Sequence, residues 1–200
     1  MNLNLGDTQL LINYGKSQGI TLDEMAYILA TTYHETSFRM KPIQEMGGNA
    51  YLKGKAYYPF FGRGYVQLTW KYNYEKAGKI LGVDFVKNPE KLLDSKYAVP
   101  IAIIGMKEGW FTGKKLKDYI DNIEETYEED LREYSNSRKI INGLDKAVTI
   151  GKYAMDYRDA LHASGYSGTP VVTPQDHVPV VKKSIWIVIL EFILSLFKRK

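Results

Sequence analysis

The residues of this chain best suited to chemistry are the triplet His34-Glu35-Thr36 and a second glutamate ten positions on, Glu45. Two carboxylates, one on a helix end and one on a facing loop, can hydrolyse a glycosidic bond. One protonates the leaving oxygen while the other activates water or attacks carbon. A chain with 23 acidic residues offers many such pairs, so the pairing needs support from its surroundings. His34-Glu35 does not open a zinc-binding HExxH motif, because Phe38 stands where the second histidine is required. Cysteine is absent, which excludes a disulfide framework, a thiolate zinc site and a cysteine nucleophile. With no cation cage and no phosphate-binding loop in view, the expectation is neither metal nor cofactor.

Support comes from the block Phe61-Gly-Arg-Gly-Tyr-Val-Gln-Leu-Thr-Trp-Lys-Tyr-Asn-Tyr74. Gly62 and Gly64 permit a tight turn or close backbone approach. Gln67, Thr69 and Asn73 set amide and hydroxyl groups among Tyr65, Trp70, Tyr72 and Tyr74. A sugar ring is polar at its rim and apolar on its C–H faces, so such a mixture suits it. The same residues also suit a tyrosine-rich core segment leading into a helix.

The elements that must position these groups are mostly helical. An amphipathic segment from Asp7 to Ser17 ends at Gly19, and Thr21-Leu-Asp-Glu24 reads as a capping box. From there Leu22, Met25, Ala26, Leu29 and Tyr33 make one apolar stripe, with Glu35 turned away from it near the helix end. Residues 41–65 read as loops or a short hairpin. Helical patterns resume at 70–81 and again after Asn88-Pro89, with Asn88 as cap and Pro100 as a kink or interruption. Further helices are expected over 115–135, its acidic run Glu124–Glu133 forming a solvated face, and over 145–163.

The net charge of +4 would suggest a nucleic-acid partner, but its distribution does not. Lys182, Lys183, Lys198, Arg199 and Lys200 against Glu191 account for all of it, leaving the globular part nearly neutral. Residues 164–181 hold three prolines among Gly, Ser and Thr and read as a semi-extended linker. Residues 182–200 form a basic-flanked apolar segment, Ile185 to Phe197, with Ser184, Glu191, Ser195 and Lys198 on a narrow polar stripe. At 1.5 Å per residue it is about 20 Å long, short of the ~30 Å hydrocarbon core, so a membrane-surface helix fits better than a spanning one. The division is therefore a domain at 1–163, a linker at 164–181 and a membrane-associated helix at 182–200. Residues 1–6 lack the features of a secretory signal.

In order along the chain, His34-Glu35-Thr36, Pro42-Ile-Gln-Glu-Met-Gly-Gly48, the block at 62–74 and Arg138-Lys-Ile-Ile-Asn-Gly143 resemble the signature regions of family-19 glycoside hydrolases. Within that family the likeness is to the short chitinase-like endolysins of bacteriophages. The resemblance implies a mainly α, lysozyme-like bilobal fold and an inverting attack on β-1,4-linked N-acetylated sugars. It assigns Glu35 as general acid, Glu45 as general base and Thr69 as a holder of the attacking water. Gln67, Tyr72, Asn73 and Asn142 would contact substrate, and Arg63 would order the cleft wall. An acid must keep its proton at the working pH, which takes partial burial or a neighbouring negative charge, whereas a base must stay ionised in wetter surroundings. Inversion needs the carboxyls roughly 6.5–9.5 Å apart.

Three departures stand out. Ser37-Phe38 replaces a common Gly-Gly, and Phe60-Phe61 replaces a common Tyr-Tyr. In plant-type members the second carboxylate lies farther along, where this chain has Tyr57 and Tyr58. The implied role is degradation of peptidoglycan at the cell wall by a monomer made in a host cytoplasm, with a pore-forming protein as a companion. Chitin hydrolysis, lytic transglycosylation through one glutamate, and an inactive membrane-tethered glycan-binding module are the alternatives.

Overall fold

A computed structural model describes residues 1–123 and 125–167, so the expectations for the rest of 164–181 and for 182–200 lie outside the described residues. The described part is mainly α, with seven α-helices and one two-stranded ladder. Helix α1 (Thr8–Ser17) and helix α2 (Leu22–Glu35) follow the sequence pattern. The capping box forms as read, Thr21 accepting from the Glu24 backbone N–H and Glu24 from that of Thr21. After the strand β1 (Ile43–Gln44) come a short helix α3 (Asn49–Lys53) and the strand β2 (Arg63–Gly64). The two strands are antiparallel, Ile43 opposite Gly64 and Gln44 opposite Arg63. Helices α4 (Lys71–Leu81), α5 (Ser95–Glu108), α6 (Tyr127–Ser137) and α7 (Ala147–Ala163) complete the domain.

Packing divides these elements into two lobes. Helix α2 lies mainly against α7, and α7 against α6. Helix α1 packs on α5, which also meets β2 and the 3-10 turn at Pro89–Leu93. Helix α2 touches both α1 and α5, and one continuous apolar core joins the lobes. Every residue of α2 from Met25 to Thr32 is buried. Its lobe is also clamped by charge: Arg158 of α7 pairs with Asp23 of α2 and Asp130 of α6, each at 2.7 Å.

Several expectations are corrected. Asn88 makes no side-chain cap, and Pro89 opens only a 3-10 turn. The helix begins later, where the Asp94 side chain accepts from the Lys96 N–H. Pro100 lies inside α5 without interrupting it, and the helix runs on to Glu108 with one backbone donor fewer. The single helix expected over 115–135 is a 3-10 turn at Leu116–Asp118 and a separate α6 capped by Thr126 and Glu129. The acidic face is not wholly solvated, since Asp130 is buried against Arg158. Just beyond the boundary read at 163, Tyr166 is buried in the core, and its hydroxyl donates to the Ile20 carbonyl at 2.8 Å.

The end of α2 is built with care. Phe38 N–H donates to Tyr33 O and Ser37 N–H to His34 O, the paired bonds of a Schellman motif, and the Phe38 and Tyr33 rings meet at 4.9 Å. The motif puts Ser37 at φ 51°, a left-handed conformation that glycine adopts without strain. Ser37→Gly should therefore stabilise the protein by about 0.5–1 kcal/mol, read as a higher midpoint in urea.

On α6, burial and then the charge of Asp121 push the Glu133 carboxyl up to about 7 from its ordinary 4.5. With its folded value raised, the group contributes stability that is complete below pH 4.5 and lost as pH rises through about 7. Glu133→Gln should raise the melting temperature at pH 8 and leave it unchanged at pH 4.

Candidate active site

Glu35 is the last residue of α2, and three features fix it there. The Thr36 hydroxyl donates to Thr32 O at 2.7 Å and accepts from the Met40 N–H at 3.0 Å, tying the helix end to the chain that runs on to β1. The Schellman bonds close the carbonyls of Tyr33 and His34. The third feature is Arg138, directly after α6, whose Nη1 lies 2.6 Å from Glu35 Oε1. Arg138 is only 4% exposed and Glu35 17%, and Arg138 Nε donates to Asp145 O at 3.2 Å. Glu35 is partly buried, and its charged neighbour is a cation. Burial lowers His34 below its ordinary value, so its ring is neutral at pH 7 and packs edge-on to Phe38. Asn142 belongs to this group of residues too: its N–H donates to Arg138 O, while its exposed side chain accepts from Gly143 N–H.

Glu45 follows β1 directly, and its backbone N–H extends the ladder by donating to Gly62 O at 2.7 Å. Its carboxylate is held at both oxygens. Tyr57 hydroxyl donates to Oε1 at 2.7 Å and Gly62 N–H to Oε2 at 3.0 Å. Each oxygen retains a lone pair for water, which a base needs. The hydrogen bond to Glu45, with burial adding to it, pushes the Tyr57 phenol up to about 12, so Tyr57 remains a donor at neutral pH.

Around Glu45 the structure gathers most of the residues singled out in the sequence. The Gln67 amide donates to Ile43 O at 3.1 Å and Gly64 O at 3.2 Å, bracing β1 against the turn. Gln67 lies so close to Gly62 that a Cβ there would meet its Oε1 at 2.8 Å. Thr69 hydroxyl donates to Gln67 O at 2.8 Å, so toward a water it can only accept. Asn73 donates to Thr69 O at 2.7 Å. Arg63 is buried, donating to Pro59 O and Tyr74 hydroxyl and lying over the Phe61 ring. Tyr72, 63% exposed, stacks on Trp70, which is 42% exposed and meets Tyr57 edge-on.

Backbone strain concentrates here. Among the described residues seven non-glycine positions have positive φ, and five of them, Ser37, Phe38, Met40, Gln67 and Trp70, follow Glu35 or flank Thr69. Such strain persists only where the surroundings enforce it, and it gathers at sites of function. By contrast, a groove of about 350 Å³ beside α4, lined by Tyr74, Gly78, Val83 and Phe85 among others, contains neither carboxylate.

Two partners escaped the sequence reading. Tyr57 was visible only as the position of another carboxylate, and Arg138 only as the first residue of a motif. No spacing rule joins Arg138 to a glutamate so far away in the chain. Arg138→Met should cost about 2–4 kcal/mol in urea unfolding by leaving Glu35 without its cation, and adding Glu35→Gln should recover part of that loss.

Residues 42–118 match the family model of glycoside hydrolase family 19, chitinase class I. The chain is 38% identical over 79 residues to an endochitinase of Arabidopsis thaliana, covering 36% of this chain and 27% of that one. It is 31% identical over 122 residues to a basic endochitinase of Vitis vinifera, covering 50% and 37%. The chain thus spans about a third of the length of these relatives. Among solved structures, chitinase C from Streptomyces griseus has the same fold, with a TM-score of 0.52 at 20% identity over 79% of this chain and 66% of that one. Glu35 and Arg138 lie outside the segment matched by the family model. That segment, carrying Glu45 and the entire Phe61–Tyr74 block, is similar in sequence to chitinase class I of glycoside hydrolase family 19, and the helical frame around it is that of a solved chitinase.

Proposed function

We propose that this protein is an endolysin-like glycosidase that hydrolyses β-1,4 bonds of peptidoglycan glycan strands with inversion. The observation that carries the reading is the contrast between two carboxylates. Glu35 ends a buried helix with one oxygen engaged by Arg138, and Glu45 sits on a loop with both oxygens held by neutral donors. In the proposed step Glu35 transfers a proton to the glycosidic oxygen through Oε2, the oxygen that Arg138 does not hold. Glu45 takes a proton from water as that water attacks the anomeric carbon, and the carbon–oxygen bond to the leaving sugar breaks. Thr69, able only to accept, turns a hydrogen of the water toward itself and a lone pair elsewhere. Trp70 and Tyr72 offer exposed faces to the apolar side of a sugar.

Similarity to endochitinases supports a β-1,4-linked N-acetylated substrate and makes chitin the competing glycan. The charge and apolar pattern of residues 182–200 supports contact with an anionic membrane surface; action at the cell wall and a pore-forming lysis partner belong to the same proposal. Among the described residues no helix is long and apolar enough to cross a membrane.

Purified peptidoglycan and colloidal chitin, each incubated with the full-length protein, Glu35→Gln and Glu45→Gln, test the proposal by mass spectrometry and anomer analysis of the fragments. Expected are reducing-end products of inverted configuration from peptidoglycan and a loss of about 100-fold or more in either variant. Preference for chitin would move the assignment to a chitinase. Anhydro sugars with Glu45→Gln fully active would make it a lytic transglycosylase. Glycan binding without turnover would leave a binding module.

A further inference from the structure

Glu45 stands at one end of a ladder only two residue pairs long, and so short a ladder has little stability of its own. At the other end lies a buried carboxylate that the proposed reaction does not use. Lys41, two residues before β1, donates to Asp7 Oδ1. Tyr65, directly after β2, donates to Asp7 Oδ2 at 2.6 Å. One anion therefore grips the chain entering the first strand and the chain leaving the second. Ser95, the first residue of α5, donates to Oδ2 as well and fastens the assembly to that helix.

The backbone reinforces the grip. Asp7 N–H donates to Met40 O at 2.7 Å, and a Cβ on Gly6 would collide with the carbonyls of Arg39 and Met40 at 2.5 and 2.4 Å. Burial opposes charge on Asp7, but Lys41, Ser95 and Tyr65 outweigh it and hold the carboxyl below its ordinary value. It is therefore an anion at neutral pH, and its bonds to Lys41 and Tyr65 are charge-assisted.

We infer that Asp7 is a positioning residue for Glu45, a staple across the far end of the ladder that keeps the Glu45 carboxylate in register with Gly62 and Tyr57. Its catalytic consequence rests on the reading of Glu45 as the general base. A small displacement of that base is costly, because water must be delivered in line with the bond that breaks.

Amide hydrogen exchange on the full-length protein tests the staple without any substrate. In Asp7→Asn, exchange at the amides of Glu45 and Gly62 should accelerate about tenfold while Leu29 of α2 and Ile150 of α7 keep their protection. Lys41→Met, which removes a largely exposed partner and leaves the core intact, should give the same local pattern in smaller degree. With peptidoglycan as substrate, kcat should fall about tenfold in Asp7→Asn with KM changed by less than about twofold, and Asp7→Glu should restore part of it. Acceleration spread evenly through the helices, or no acceleration at Glu45 and Gly62 in either variant, overturns the inference. If the unmutated chain leaves both peptidoglycan and chitin intact, the glycosidase reading fails while the exchange result still decides the staple.

Discussion

Helix α2 is buried over its whole middle, from Met25 to Thr32, and everything near the first carboxylate follows from how such a helix can end. The last carbonyls of a buried helix need donors, and its terminus carries partial negative charge. This chain supplies donors from the Thr36 hydroxyl-bridged loop and the Schellman bonds. It then sets a carboxylate at the terminus, a position that disfavours negative charge, and offsets it with a guanidinium that is itself almost fully buried. The triplet His34-Glu35-Thr36 is thus a structural solution, and in the proposed reaction a chemical one as well. Its threonine closes the helix, and its glutamate keeps part of its surface open.

The second carboxylate is held differently. Around Glu45 the polar side chains spend their donors on backbone carbonyls: Gln67 on Ile43 and Gly64, Thr69 on Gln67, Asn73 on Thr69. Beneath them Arg63, Tyr74 and Phe61 lock the turn from inside. Residues that resemble sugar-contacting positions are therefore also the struts of their own loop. This is how a segment with almost no regular secondary structure can hold a carboxylate in a defined orientation. It also accounts for the left-handed backbone at Gln67 and Trp70, which the surrounding bonds impose.

Legibility in the sequence tracked the range of the interactions. The Thr21–Glu24 box and the stripe of α2 are written within a few residues and were readable. The β1–β2 ladder is too short to show a period, and only its place among loops was evident. Asn88 and Asp94 are both good caps by type, so residue type alone did not show that the α-helix opens at Asp94. The acidic run of α6 looked like a solvated face because Arg158, which buries Asp130, comes from another helix. At the site, residue types and motif order pointed to Glu35, Glu45 and the 62–74 block. The partners Arg138 and Tyr57, like the Asp7 network, arise from contacts between distant segments that no local pattern encodes.

The packing of α2 against α7 also sets an order of events during synthesis. Helix α2 is made before α7, so the main surface that covers it, beginning at Ala147, is added only after α1 and α5 are already available to pack on it. Contacts this distant close late and slowly, and a chain interrupted before α7 exposes Met25 to Leu29 to other chains. A pause in translation between α2 and residue 147 consequently lengthens the time for which that apolar face lacks its main cover.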